Sequence, residues 1–443
     1  MLNHAFARIL SIGLALAALG AHVDLTVRFK QFKLPNGLTV ILSEDHTAPI
    51  YCITVAYNVG SSSERPGRAG FAHLFEHLMF QGSENVAKGE QEALVRELGG
   101  YIVAATAPDR TIYVETLPAN QIDLGLFLEA DRMRSLAVTQ ANLDSQRDAV
   151  KEERMRNVEN RAYGTSDEAV DDTAYTNFGY RHPVVGWNED LKTGSLANVR
   201  EFFERYYPPN NATIAIVGDF KATEVLAKVK KYFGNIPARP TPQPPDRTEG
   251  EQVEERRRTL QDPFANVPRI VIAFKTAAGK TADLYAVNAI RVILGAGPSS
   301  RLQQRLVRDE QLAVGVSTWV DERSGPGLFK ITVNVRTVKD VAAVESVIYE
   351  EIAKLQSQPV SDQEVGKVQM WARQQQVEHV ESVLNRAVNL AQDAMQFGNA
   401  DLLNTEYAST VKLGKQDLLR AAKRYLNLNC KTVITTLSGR GGP

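Results

Sequence analysis

Apolar positions along this chain follow two rhythms, and the sequence of rhythms comes round twice. Runs rich in β-branched residues open the first half, "GLTVILSED" (37–45) and "IYCITVAYNVG" (50–60), and "RIVIAFKTA" (269–277) opens the second. Each reads as a strand with at least one buried face. Helical periodicity follows in both halves, for example over Ile122 to Leu136 and Leu284 to Leu294. The halves also close alike. "VREFFERYYPPNNATIAIVGDF" (199–220) is an amphipathic helix, a break and an apolar strand, and "DLLRAAKRYLNLNCKTVITTLSG" (417–439) repeats that order. Tyr206 aligns with Tyr425, Asn210 with Asn429, Thr213 with Thr432 and Ile214 with Val433, all at one offset. A matched ending at constant spacing predicts two homologous domains. Strands grouped with helices, without strict alternation or a glycine-rich phosphate turn, place the fold in the α+β class, as two α/β-layered domains.

Boundaries follow from the same pattern. "IPARPTPQPPDRTEGEQVEERRRT" (236–259) is rich in proline and then in charge, with no apolar period, and reads as an extended linker. The expected organisation is a first domain over 24–235, a linker over 236–261 and a second domain over 262–439. Residues 1–21 stand apart. Arg8, an apolar run from Ile9 to Leu19 and the small-residue end Ala18-Leu19-Gly20-Ala21 have the layout of a secretory signal. The run is short for a bilayer span, and the other reading is a short buried or anchoring helix. Export to the periplasm or beyond the cell is the expectation, with no stable membrane insertion.

Composition adds exclusions. A net charge of −1 on 443 residues gives no electrostatic footprint for a nucleic-acid or anionic-membrane partner. Two cysteines, Cys52 and Cys430, fall in different domains, lack metal-ligand spacing and are expected as free, buried thiols.

The chemistry concentrates in "GFAHLFEHLMFQGSENV" (70–86). On a helix, positions i, i+3 and i+4 share a face, so His73, Glu76 and His77 converge while Leu74, Phe75, Leu78 and Phe80 pack elsewhere. Two imidazoles at this spacing suit Zn²⁺, and the intervening carboxylate is placed to take a proton from water at the metal. A hydrogen-bonded core pair of histidines is the plainer alternative. Catalytic zinc normally takes three protein ligands. A polar helix, "SQRDAVKEERMRNVENRAYG" (145–164), offers Glu152 and Glu153, although such charge runs usually form a solvated face.

His-x-x-Glu-His is the order found in the inverzincins, and the chain beyond its first residues resembles the pitrilysin/insulinase family, in its short two-domain branch with the mitochondrial processing peptidases. The likeness runs through "LPNGLTVIL" (34–42), the 70–86 stretch, "GGYIVAATAPDRTIYVETLP" (99–118), "RDAVKEERMRNVENRAYG" (147–164) and "YYPPNNATIAIVGDF" (206–220). It implies a peptidase with one Zn²⁺ per chain, held by His73, His77 and Glu153, with Glu76 as general base. Glu153 closes the Val150-Lys151-Glu152-Glu153 segment that matches the family's third-ligand motif, and Glu152 is the fallback. Gln146 stands where the family often has an acid, which alters support for a zinc-bound histidine.

By the same resemblance, Ala104, Ala105 and Thr106 lie on the strand whose free edge pairs with peptide substrate, a sequence-tolerant mode of binding. Val103 replaces a frequent asparagine there. In "GPSSRLQQRLVRDEQLAVGVST" (297–318), relatives carry an Arg and a Tyr that hold substrate and stabilise the oxyanion. The aligned positions are Val307 and Val314, and Arg308 is one place off. The resemblance therefore implies a heterodimer in which this chain brings zinc and a homologous zinc-less subunit brings Arg and Tyr, the alternative being a homodimer. A non-catalytic scaffold is the competing class, since the family includes respiratory-complex subunits without metal. A structural zinc site suits the set less well, because three ligands and an interposed glutamate leave an open position.

Overall fold

The computed structural model describes residues 25–439, so the expected signal segment lies outside the described residues. The strands form two sheets. The first contains β1 (Lys30–Lys33), β2 (Thr39–Glu44), β3 (Ile50–Tyr57), β4 (Tyr101–Ala107), β5 (Arg110–Pro118) and β6 (Ala212–Gly218), in the order β1-β2-β6-β3-β5-β4. The second contains β7 (Arg256–Asp262), β8 (Arg269–Lys275), β9 (Ala313–Val320), β10 (Leu328–Val335) and β11 (Thr432–Ser438), in the order β7-β11-β8-β10-β9. Each sheet is antiparallel apart from one parallel pair, β2 with β6 and β7 with β11. The repeat in the sequence is thus a repeat in topology. The helix before each closing strand, Leu196–Tyr206 or Lys415–Tyr425, stops at the matched tyrosine.

Helices cover one face of each sheet with residues of their own half. In the first half these include α1 (Phe71–Leu78) and α2 (Gln140–Arg154), which bury Leu74, Phe75, Leu143 and Val150 against Val40, Val55 and Ile214. In the second half, α4 (Ala282–Gly295) and α5 (Asp362–Val380) do the same with Ile290, Ile293 and Val368 against Ile272 and Ile331.

The opposite faces are covered by exchange. α3 (Gly164–Ala174), from the first half, places Ala169, Val170 and Ala174 on Val271, Ala273 and Ile434 of the second sheet. α6 (Val383–Phe397), from the second half, places Val383, Ala387, Leu390 and Ala391 on Cys52, Ala56, Ala215 and Val217 of the first. The i, i+4, i+7, i+8 spacing on α6 is one apolar stripe. Coverage on both faces explains why β3 and β6 read as nearly continuous apolar runs instead of alternating.

The linker expectation needs correction at its C-terminal end. Residues 256–262 form β7 and join the second sheet through main-chain bonds to β11. Arg256, Arg257 and Arg258 hide this strand from a reading of apolar pattern, because an edge strand pairs by backbone and tolerates polar side chains. The preceding stretch lacks helix and strand but is tied down. Asn210 and Arg239 exchange hydrogen bonds, Arg247 pairs with Asp109, and Glu249 accepts from Thr176, Asn177 and Lys275.

The polar stretch expected as one helix over 145–164 is α2 up to Arg154, continued by a π-type turn over Met155–Glu159. Cys52 is buried and Cys430 only partly so; both are free. No helix among the described residues is long and apolar enough to cross a membrane.

Candidate metal centre

The site begins with the entry to α1. Gly70 has φ 93°, and a Cβ there would lie 2.7 Å from the Val185 carbonyl oxygen and 2.8 Å from Gly186 Cα, so the turn requires glycine. The first amides of the helix find a built acceptor. Gly70 N–H and Ala72 N–H donate to the two carboxylate oxygens of buried Glu64 at 2.8 and 2.6 Å. A carboxylate here also complements the positive end of the helix dipole.

Glu64 is held in turn by His182, whose Nε2 lies 2.8 Å from Glu64 Oε2 and whose Nδ1 lies 2.6 Å from the Phe178 carbonyl oxygen. Both ring nitrogens face acceptors, which fits an imidazolium against a carboxylate. Burial works against that charge, and the Glu64 carboxylate more than offsets it, raising His182 above the ordinary histidine range. Sequence reading missed this pair. Glu64 precedes the helix in a polar turn and His182 lies far along the chain, so only the fold joins them.

With Phe71, Ala72, Leu74, Phe75 and Leu78 buried, α1 turns His73, Glu76 and His77 to its other side, towards α2 and β4. Glu153, in the last turn of α2, meets the histidines. Its Oε2 lies 3.6 Å from His73 Nε2 and 3.2 Å from His77 Nε2. Ligands about 2.1 Å from one tetrahedral ion sit about 3.4 Å apart, so these separations fit a shared metal. Among the described residues His73, His77 and Glu153 form the one set of His, Cys, Asp or Glu groups converging closely enough to hold an ion.

The protonation states agree with that fit. Burial, and then the neighbouring His77, depress His73 to about 4, which leaves a neutral imidazole. The contact with His77, and then burial acting the other way, leave Glu153 below its ordinary value and ionised. Glu152, the fallback ligand, is exposed and outside the cluster. Gln146 touches His77 with a neutral amide.

Glu76 is placed by β4. Thr106 Oγ1 donates to Glu76 Oε2 at 2.5 Å, fixing the carboxylate beside the ligand set. Burial raises Glu76 above the ordinary carboxyl range, with the Thr106 bond acting against it. A carboxylate of raised pKa is the better proton acceptor and donor near neutral pH.

β4 is an edge strand, paired on one side by β5. Ala104 and Thr106 face the helices and Ala105 the exposed side, so all three expected substrate residues lie on the free edge. In the second half, Val307 packs partly buried against the core, Val314 is exposed at the start of β9, and Arg308 points to solvent.

The fold and this constellation define a class: a two-domain chain whose inverted His-x-x-Glu-His pentad, with Glu153, could hold a metal ion. The family model described as "Insulinase (Peptidase family M16)" matches residues 39–186, and "Peptidase M16 inactive domain" matches residues 195–370. The chain belongs to this pitrilysin/insulinase peptidase family. It is 27% identical over 408 residues to the zinc protease PqqE of Helicobacter pylori, covering 90% of this chain and 91% of that one. It is 23% identical over 415 residues to a probable mitochondrial-processing peptidase subunit beta of Arabidopsis thaliana, covering 89% and 75%. The solved structure of a protease from Helicobacter pylori superposes with a TM-score of 0.88 at 26% identity, over 93% of this chain and 100% of that one.

Proposed function

We propose that this chain is a zinc-dependent endopeptidase acting on peptides or unfolded segments. The observation that carries the reading is the convergence of His73, His77 and Glu153 beside a Glu76 carboxylate fixed by the edge strand itself. Zinc, when bound by those three residues, supplies Lewis acidity to water and to the scissile carbonyl.

The remaining work falls to the chain. A peptide added to the free edge of β4 is aligned by main-chain bonds, which brings its backbone alongside Thr106. Glu76 accepts the proton of the attacking water and returns it to the leaving amine. Thr106 keeps the accepting oxygen in place through both transfers.

Replacing Glu76 with Gln is expected to lower peptide hydrolysis by roughly 1,000-fold or more while zinc content stays at one per chain. Unchanged turnover would remove Glu76 from the mechanism. A protein that purifies without stoichiometric zinc would support the scaffold class instead.

The oxyanion-stabilising groups come from a second chain in this reading. Val307 and Val314 offer no side-chain hydrogen-bond donor where the family resemblance implies Arg and Tyr, so the working unit is a heterodimer with a homologous zinc-less subunit. Full activity of the purified chain without such a partner would return the homodimer to favour. The signal-like pattern of residues 1–21 supports a site of action in the periplasm or outside the cell; a reporter fusion retained in the cytoplasm would overturn that reading.

A further inference from the structure

The second half keeps a cleft at the position in its own fold that the metal centre occupies in the first. α4 follows β8 as α1 follows β3, and α4 packs on β9 and α5 as α1 packs on β4 and α2. Between these elements and α7 (Leu402–Val411) lies a cavity of about 260 Å³. The histidines have no counterpart on α4. Facing this cavity are a guanidinium and aromatic rings, Arg291 from α4, Trp319 from β9, Trp371 from α5 and Tyr407 from α7, beside Lys280, His379, Glu322 and Glu406.

Arg291 is the unusual member. It is mostly buried, yet it forms no ion pair among the described residues. Among the described residues its guanidinium makes one hydrogen bond, from Nε to Asn288 Oδ1 at 3.2 Å, and the guanidinium carbon lies 4.9 Å from the centre of the Trp371 ring. The other cation of the cavity is saturated. Lys280 Nζ lies 2.8 Å from Glu406, 3.3 Å from Glu322 and 3.8 Å from Asp393, which uses the nearby acids. Arg154 and Arg301, by contrast, have carboxylate partners in Glu168 and Glu364. A desolvated guanidinium without a counter-ion is costly, and its planar fork matches a carboxylate. Trp319 stands 64% exposed on β9, an edge strand of the second sheet, and gives an apolar surface at the mouth.

We propose that this cleft is a carboxylate-binding subsite, in which Arg291, oriented by Asn288 and backed by Trp371, receives the carboxylate of a peptide lying along β9. The carboxylate comes either from a peptide C-terminus or from an Asp or Glu side chain. The subsite needs neither zinc nor hydrolysis, so it stands apart from the peptidase reading, although the ligand class is shared with it.

The test is peptide binding to the full chain carrying Glu76→Gln, read by calorimetry and by fluorescence of Trp319 and Trp371. One peptide sequence is used as the free acid, as the C-terminal amide, and as the amide with one internal Asp. The expected result is that at least one carboxylate form binds about tenfold or more tighter than the plain amide. Which form does so names the source. That preference should vanish in Arg291→Met and persist after zinc is removed by a chelator.

Arg291→Met is expected to fold with an unchanged or raised Tm, because an unpaired buried charge has been removed. Equal affinity for all three peptides, or a preference that survives Arg291→Met, would overturn the proposal. A preference lost on chelation would overturn it too, by assigning the carboxylate to the metal centre, whereas loss of hydrolysis alone would leave it standing.

Discussion

The two halves share one topology and differ in what a single helix does. α1 is eight residues long and buries five of them, which leaves a side for His73, Glu76 and His77. Its counterpart α4 spans 14 residues and buries ten, including Leu284, Ile290 and Ile293. A helix packed on most sides serves the core, and one packed on a single side can present ligands. The frame is therefore indifferent to chemistry, and the chemistry rests on a short exposed stripe. The exchange of α3 and α6 is the part that both halves retain in full. What both halves keep is a packing unit, and the candidate metal centre stands on one copy of it.

The largest effect should come from that exchange. Leu390 on α6 is fully buried against the first sheet, so Leu390→Ala is expected to cost about 2–5 kcal/mol. Denaturant unfolding monitored in both halves should show them destabilised together. Loss confined to the second half would break the reciprocal picture.

Next in size is the Glu64–His182 pair, which supports α1 and has no ionised equivalent at the start of α4, where Thr281 caps instead. His182→Gln leaves Glu64 buried without its cation and is expected to cost about 1–3 kcal/mol. The sign with pH follows from the direction of the shifts. His182 lies above its ordinary 6.5, and burial, offset in part by His182 and the helix amides, leaves Glu64 above its ordinary 4.5. The folded pair therefore holds a proton more tightly than the unfolded chain does. For His182 the contribution is full below 6.5 and is lost as pH rises through its raised folded value. Melting curves of wild type and His182→Gln should converge as pH rises above the ordinary histidine value of 6.5. A gap that widens with pH would reverse the assignment.

Smaller effects test the fine placement of the first half's chemistry. Thr106→Val removes the hydroxyl that fixes Glu76 and should lower kcat about tenfold with zinc stoichiometry unchanged. A loss of zinc would mean that Thr106 supports the ligands and not the base. Gln146→Glu puts a carboxylate beside His77 and should tighten zinc by up to about tenfold in a chelator competition. No change would show that the neutral amide already serves.

Much of this was legible in the sequence, for identifiable reasons. The pentad declares itself because i, i+3 and i+4 form a face in any helix. The repeat declares itself because a tyrosine, an asparagine and a strand recur at one offset. Glu153 was reachable through family likeness, since spacing within a charged helix does not separate it from Glu152. Glu64 and His182 were not legible, because a buried pair joined across the chain leaves no local period. β7 was hidden by its arginines. The crossing of α3 and α6 was hidden because an apolar stripe says that a helix is covered and not which sheet covers it.

That crossing has a consequence for inheritance. After a tandem duplication, either copy is free to shed residues that serve only a reaction, and the second copy has no metal-binding pentad. Neither copy can be deleted, because each supplies the lid of its sibling's sheet. A half without the pentad therefore persists by structural debt alone, and its freed cleft is left open to acquire another use.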